Sequence, residues 1–437
     1  MPLDNVTVPG FVPGIRVTPV SAQSSLTIST EIDAAHPQTS PRAAQDSSGR
    51  AHPHGTPTAP VGAVRVPIVA VSPDREVPPV PGVHPEADPV AVGAWLADRL
   101  GDPAWRDATL APIGAGRSNL TYRVDSAAGA VVLRRPPVGE VAVTAHDMGR
   151  EQRVIAALAA TEVPVPRVLA SSAGGPPVDA PCFVMELVDG VVPLDELPAG
   201  WATAEADRRR ASEALVEVLV ALHAVDPAAV GLGDFGRPEG YLSRQLRRWV
   251  TQWEKARDAA GTDTAGVGAA AEPTLLAEAL AGTVPRTQRH AIVHGDYRID
   301  NCLFDPADPG RIRAVLDWEM STLGDPLADL GLLLVYWHEA DEPPVWRAAQ
   351  HLPSLTRLPG FLRRAEVAQA YARGSGLDLT PLPWYVAFGA FKLAVVLEGI
   401  LARVRAGMVP ASMAAGLGGS AAPLLALGHH VLAEGLG

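Results

Sequence analysis

The sequence predicts an α+β fold of two unequal lobes, a small strand-rich one followed by a larger, mainly helical one, with a cleft expected between them. Three observations lead there. Short β-branched and apolar runs concentrate between residues 110 and 190. Helical periodicity takes over beyond residue 200, as in ADRRRASEALVEVLVALHAV (206–225) and GYLSRQLRRWVTQWEKAR (240–257). Composition breaks near residue 90: the first 90 residues hold 16 of the 42 prolines but a single aromatic residue, Phe11, too little apolar surface to offset the entropy of ordering a chain.

Residues 1–89 therefore read as a disordered Pro/Ser/Ala-rich tail, residues 90–190 as the first lobe and residues 191–437 as the second. Folding starts where VAVGAWLADRLG places apolar residues at helical spacing around Trp95 and Leu96. LAPIGAGRSNLTYRV (110–124) and AVVLRRPP (130–137) are strands joined by a small-residue turn at Asp125–Gly129. HDMGREQRVIAALAA (146–160) follows as a helix, then VPVPRVLA (163–170) and PCFVMELVDG (181–190) as strands. Within the helical lobe, DAAGTDTAGVGAAAEP (258–273) reads as a loop.

Composition excludes several classes. A net charge of −12 argues against a nucleic-acid binder. Two cysteines, Cys182 and Cys302, make neither a disulfide framework nor a thiolate metal site and fit a reduced, cytoplasmic setting. There is no run of about 18 uncharged apolar residues, so no membrane span is expected, and the start has no basic n-region or continuous apolar core of a signal peptide. Of 36 basic residues only Lys255 and Lys392 are lysines.

Chemistry concentrates in HGDYRIDNCLFDPADPGRIRAVLDWEMSTLGDPLADLG (294–331). A hairpin between CLF and IRAVL brings Asn301 and Asp317 together and leaves Asp296 just outside them. Two hard oxygen ligands and one free carboxylate are what Mg²⁺-assisted phosphoryl transfer from ATP requires: Asn301 and Asp317 for the metal, Asp296 to accept the proton of an attacking hydroxyl. His294 holds this loop by a hydrogen bond, Asp325 caps the helix PLADLGLLL, and Asp329 anchors the structure. Upstream, Gly114 and Gly116, with Ser118 and Asn119 after them, suit a loop whose backbone N–H groups cover phosphates, although Gly-rich hairpin turns are common.

The catalytic stretch has the spacing of the protein-kinase catalytic loop and its following metal-binding aspartate, written here as His-Gly-Asp and Asp-Trp-Glu. Those variants resemble the aminoglycoside phosphotransferase and choline kinase group of small-molecule kinases, which implies a protein-kinase-like bilobal fold. By that resemblance FVMELVDG is the hinge, with Met185 beside the adenine and the Glu186 carbonyl and Val188 N–H as its partners. Kinase-like folds also place a lysine on the third strand, paired with a glutamate on the next helix. No lysine precedes Lys255, so Arg134 takes that place, with Glu151 opposite. AVVLRRPPVG (130–139), AHDMGREQRVIAAL (145–158), GLGDFGRPEGYLSRQLRRWVTQWE (231–254) and LDWEMSTLGDPLADLGLLLVYW (316–337) look like the kinase-like domain found beside acyl-CoA dehydrogenases. The resemblance spans about residues 90–410 and implies hydroxylated acyl chains, as CoA thioesters, for acceptors.

Tyr297, Arg298 and Glu319, inside or beside the catalytic motifs, are the expected acceptor contacts. Residues 338–437 carry 7 acids and 8 bases, without the acidic excess that a polycationic aminoglycoside would favour. Arg244, Arg247 and Arg248 are candidates for an anionic ester, the plainer reading being a solvated basic face. Trp337, His338, Trp384 and Tyr385 read as core residues that could instead line the acceptor pocket. Two further readings stay open, an aminoglycoside-type antibiotic kinase and a nucleotide-binding pseudokinase that serves as an interaction module.

Overall fold

The computed structural model describes residues 87–113, 119–136, 147–194, 196–260, 273–350, 354–407 and 421–436. Residues 1–86 of the expected tail and the loop positions Gly114, Gly116 and Ser118 lie outside them, while residues 87–89 lead into the first helix. The described chain opens with α1 (Pro89–Leu100), which Asp88 caps by accepting from the Val90 N–H at 3.0 Å; Gly101 closes it at φ 73°.

A five-stranded antiparallel sheet follows, built of β1 (Thr109–Pro112), β2 (Leu120–Ser126), β3 (Gly129–Arg135), β4 (Val168–Ser172) and β5 (Cys182–Glu186), in the order β1-β2-β3-β5-β4. Helix α2 (Met148–Leu158) connects β3 to β4, and Asp147 caps it through the Arg150 N–H. Strand alternation explains both faces of the sheet. Val131, Leu133, Cys182 and Val184 pack with Trp95, Leu96 and Trp105 in one apolar cluster. Val132, Phe183 and Met185 face the other way, onto Val154, Ile155 and Leu158 of α2. Arg134 pairs with Phe183 across the ladder, so its side chain belongs to this second face. Strand β4 is shorter than expected. Residues 163–167 carry Pro164 and Pro166, which cannot donate to a ladder, and the Pro164 carbonyl accepts the Val315 N–H instead.

The second lobe comprises α3 (Glu205–Ala224), α4 (Tyr241–Ala260), α5 (Pro273–Gly282), two small antiparallel pairs, and α6 (Leu327–Tyr336), α7 (Pro344–Ala349), α8 (Arg364–Ser375), α9 (Leu382–Arg405) and α10 (Ala422–Glu434). Residues 258–260 extend α4 rather than starting a loop, and 261–272 lie outside the described residues. The pairs are β6 (Ala291–Val293) with β9 (Thr322–Gly324) and β7 (Cys302–Phe304) with β8 (Ile312–Val315), the second being the expected hairpin. By length and composition α9 could cross a membrane, but 72% of its apolar window is buried inside the protein. It is the central helix of the lobe, against α4, α6 and α10. Trp337, Trp384 and Tyr385 are core residues, their polar atoms spent on Leu362, Leu280 and Asp325. Both cysteines are free and buried, and burial pushes the Cys182 thiol up to about 11.

Candidate active site

The catalytic stretch is a chain of short turns that secondary structure alone would not hold, and side chains hold it instead. His294 is fully buried; its Nε2 meets the Leu316 carbonyl at 2.8 Å and its Nδ1 accepts the Asp296 N–H at 3.2 Å. Asp329, from the first turn of α6, accepts the His294 N–H at 2.6 Å and the Gly295 N–H at 2.8 Å, with His223 3.3 Å from the same carboxylate. Burial pushes the Asp329 carboxyl up, and the His223 hydrogen bond with His294 and Gly295 pulls it net below the ordinary aspartate range. Asp325 accepts the Leu327 N–H at 3.1 Å and the Tyr385 hydroxyl at 2.8 Å, so it both caps α6 and ties it to α9.

Gly295 explains why the motif reads His-Gly-Asp. Its φ of 84° is in the left-handed region, and a Cβ there would lie 2.7 Å from the Met320 carbonyl oxygen. Asp317 is also left-handed, at φ 66°, a conformation that a non-glycine residue keeps only where its surroundings impose it. Leu316 donates its N–H to the Asn301 carbonyl, which brings the end of β8 against the catalytic loop. The Asn301 amide nitrogen is spent on Asp296, at 2.8 Å from its carbonyl and 3.2 Å from Oδ2. That leaves the Asn301 oxygen as the hard donor.

Arg134 brings the two lobes together. Buried to 1% exposure, it pairs with Glu151 at 2.9 Å and with Asp317 at 2.9 Å, and lies 3.8 Å from Glu319. Asn119 adds bonds to Glu151 at 3.4 Å and Glu319 at 3.0 Å. Three carboxylates thus face one guanidinium. Burial raises the Glu151 carboxyl above the ordinary glutamate range against the pull of Arg134. Among the described residues no group of three His, Cys, Asp or Glu side chains forms a metal cage. The donor set of Asn301 and Asp317, with excess acid around it, still fits Mg²⁺, which takes one or two carboxylates and completes its shell with substrate phosphates and water. Glu186 ends β5, its carboxylate and N–H both bonded to the Arg167 main chain, and Val188 follows where the chain leaves the sheet.

A cavity of about 590 Å³ adjoins the catalytic loop, walled by α4, α6 and α9. Its lining includes Gly295, Glu319 and four cations, Arg150, Arg248, Lys392 and Arg403. One expected acceptor contact is corrected here. Tyr297 is fully buried and donates its hydroxyl to the Leu215 carbonyl at 2.8 Å, because its ring packs under the loop against His294. Arg298 turns onto the loop's own acids, 3.5 Å from Asp296 and 3.1 Å from Asp300, with Tyr336 beneath its guanidinium. Of the three candidate arginines on α4, Arg248 lines the cavity, Arg247 lines a separate one between α4 and α5, and Arg244 bonds the Arg237 and Glu239 carbonyls. Sequence reasoning passed over Arg150 and Lys392. The one available signal for Lys392 was a lone lysine within an apolar helix of an arginine-dominated chain.

The model of the phosphotransferase enzyme family matches residues 109–379, which includes every one of these groups except Tyr385, Lys392 and Arg403. The chain belongs to the APH phosphotransferase family. A family relative in the mouse, acyl-CoA dehydrogenase family member 10, is 32% identical over 326 residues, covering 74% of this chain and 29% of its own. Rat acyl-CoA dehydrogenase family member 11 is 31% identical over 297 residues, 68% of this chain and 36% of its own. The chain thus spans about a third of the length of the curated relatives it matches. A solved structure from Ralstonia eutropha, provisionally named an aminoglycoside phosphotransferase, is 30% identical, with a TM-score of 0.66 over 80% of this chain and 99% of that one. The APH fold is therefore the kinase-like, two-lobed one that the motifs imply.

Proposed function

We propose that the chain is an ATP- and Mg²⁺-dependent kinase of a small anionic molecule bearing a hydroxyl group, with hydroxyacyl-CoA esters as the favoured class. One observation carries this reading. Asp296, Asn301 and Asp317 converge where the Arg134–Glu151 pair meets them, and a cationic cavity opens beside Asp296. Asp296 accepts the proton of the acceptor hydroxyl as that oxygen attacks the terminal phosphorus of ATP and ADP leaves. Mg²⁺ at Asn301 and Asp317 would neutralise the charge of the transferring phosphoryl group. Arg134, a permanent cation with a forked donor set, holds the nucleotide phosphates, and Glu151 fixes its direction. Glu186 and Val188 offer main-chain groups to the adenine.

The acceptor class follows from charge and shape. Arg150, Arg248, Lys392 and Arg403 outnumber the two acids of the lining, Glu319 and Asp329, in a cavity whose apolar wall includes Trp249, Leu332 and Phe388. Such a surface favours an anion with an apolar chain and disfavours a polycationic aminoglycoside. The names of the mammalian relatives, acyl-CoA dehydrogenase family members, point to the same chemistry. The test is ATP consumption with a panel of 4-hydroxyacyl-CoA esters, aminoglycosides, choline and macrolides. Turnover of the CoA esters with little of the cationic drugs is expected. Preference for aminoglycosides would overturn the acceptor assignment, and no turnover of any acceptor would overturn the kinase reading.

A further inference from the structure

Lys392 counts above only as one of the cations of the cavity, yet it also lies against the catalytic loop. It projects from the middle of α9 into the cavity, its Nζ donates to the Gly295 carbonyl, and the Trp249 ring of α4 lies 5.5 Å away. The same peptide unit is held at its other end, where the Asp296 N–H donates to His294 Nδ1. One residue earlier the Gly295 N–H is held by Asp329. These grips matter because Gly295 has no Cβ to restrict its dihedrals, so its left-handed conformation must be imposed by partners. Without a donor at the carbonyl, the Gly295–Asp296 peptide could rotate, and the carboxylate that follows would change direction.

We infer that Lys392 is a positioning residue for phosphoryl transfer: by holding the Gly295 carbonyl it fixes the Gly295–Asp296 peptide and thereby the direction of the Asp296 carboxylate, which meets the Asn301 amide at 3.2 Å. The inference rests on the kinase reading and adds a residue from a separate helix to it. Burial lowers the affinity of the Lys392 amine for its proton, against the pull of Asp296 and Asp329, and Arg248 and Arg298 act in the same sense as burial. A cation kept in so unfavourable a place is consistent with a positional task. An ammonium suits that task because it is a compact donor, whereas a guanidinium spreads its N–H groups over a plane.

Full-length wild type, Lys392→Met and Lys392→Gln decide the matter by two readouts. Amide hydrogen exchange, followed by mass spectrometry without nucleotide or acceptor, is read on peptides covering 291–301. Exchange there is expected to rise about tenfold in both variants, with peptides of the five-stranded sheet unchanged, since the loop opens locally. Turnover of a 4-hydroxyacyl-CoA is expected to fall about 100-fold in kcat, the scale of a misplaced catalytic group, with KM for ATP unchanged. Wild-type exchange in a soluble variant would overturn the inference, as would a loss confined to the acceptor KM, which would make Lys392 a binding group only. If Lys392→Met is insoluble, Lys392→Gln carries the test. The exchange arm needs no acceptor, so an acceptor panel that fails would count against the kinase reading and leave the loop result to stand separately.

Discussion

The phosphate side and the acceptor side of the cleft are built on opposite plans. On the phosphate side Arg134 is sealed between a sheet and a helix and bonded to two acids at 2.9 Å, so its position is fixed by packing and by charge. On the acceptor side Arg248 is exposed on α4, and its cavity is shaped by three separate helices. The first plan holds reacting groups in a single geometry, and the second permits a change of acceptor without disturbing them. If the account is right, substitutions on the two sides differ in kind. Those on the phosphate side cost stability and kcat, and those on the acceptor side change acceptor KM.

The largest effect is expected where the two sides meet. Asp296→Asn removes the proton acceptor and keeps the shape, so kcat should fall by about 10³-fold or more in steady-state assays, with Mg·AMP-PNP affinity unchanged by calorimetry. Arg134→Ala leaves Glu151 buried without its partner, which should cost about 3–5 kcal/mol of stability by denaturant unfolding and raise the ATP requirement sharply. It should also tilt stability with pH. A carboxyl whose folded pKa is raised contributes most below its ordinary value and loses that contribution as pH rises through the raised one. Removing the Arg134 pull raises Glu151 further, so Arg134→Ala should melt lower at pH 8 than at pH 5, by a margin that adding Glu151→Gln abolishes. A flat melting profile would show that Glu151 is not burdened in this way.

Smaller effects sharpen the contrast. Gly295→Ala should cost about 1–3 kcal/mol through backbone strain and contact with Met320, and slow turnover without altering acceptor choice. Arg248→Glu should raise KM for an anionic acceptor about tenfold, a change of about 1.4 kcal/mol, and leave KM for ATP unchanged. Arg247→Glu, one residue away but facing the other cavity, should alter neither constant. Equal effects of the two would remove Arg248 from the acceptor site.

What the sequence made legible follows the same division. Asp296, Asn301 and Asp317 lie within 22 residues, so local turns fix their meeting and spacing reveals it. Arg134 and Glu151 could be paired through the resemblance to kinase-like folds, which set a cation on the third strand against a glutamate on the next helix. Of the acceptor wall only Arg248 and Glu319 could be read as candidates; Arg150 on α2 and Lys392 and Arg403 on α9 reach it through helix packing, which is a tertiary fact. Tyr297 shows the hazard of adjacency. It follows the catalytic aspartate directly, yet it points into the core, since the loop needs an apolar foot as much as a reactive tip. Pro164 and Pro166 likewise shortened a strand that composition alone suggested.

The central claim is that these two unlike sides serve one transfer of a phosphoryl group to a hydroxyl. Its most direct test is mass spectrometry of a 4-hydroxyacyl-CoA incubated with ATP, Mg²⁺ and the protein. The account predicts an acceptor that gains one phosphoryl group with wild type and does not with Asp296→Asn. An unmodified acceptor with wild type, or equal phosphorylation by both proteins, would contradict it.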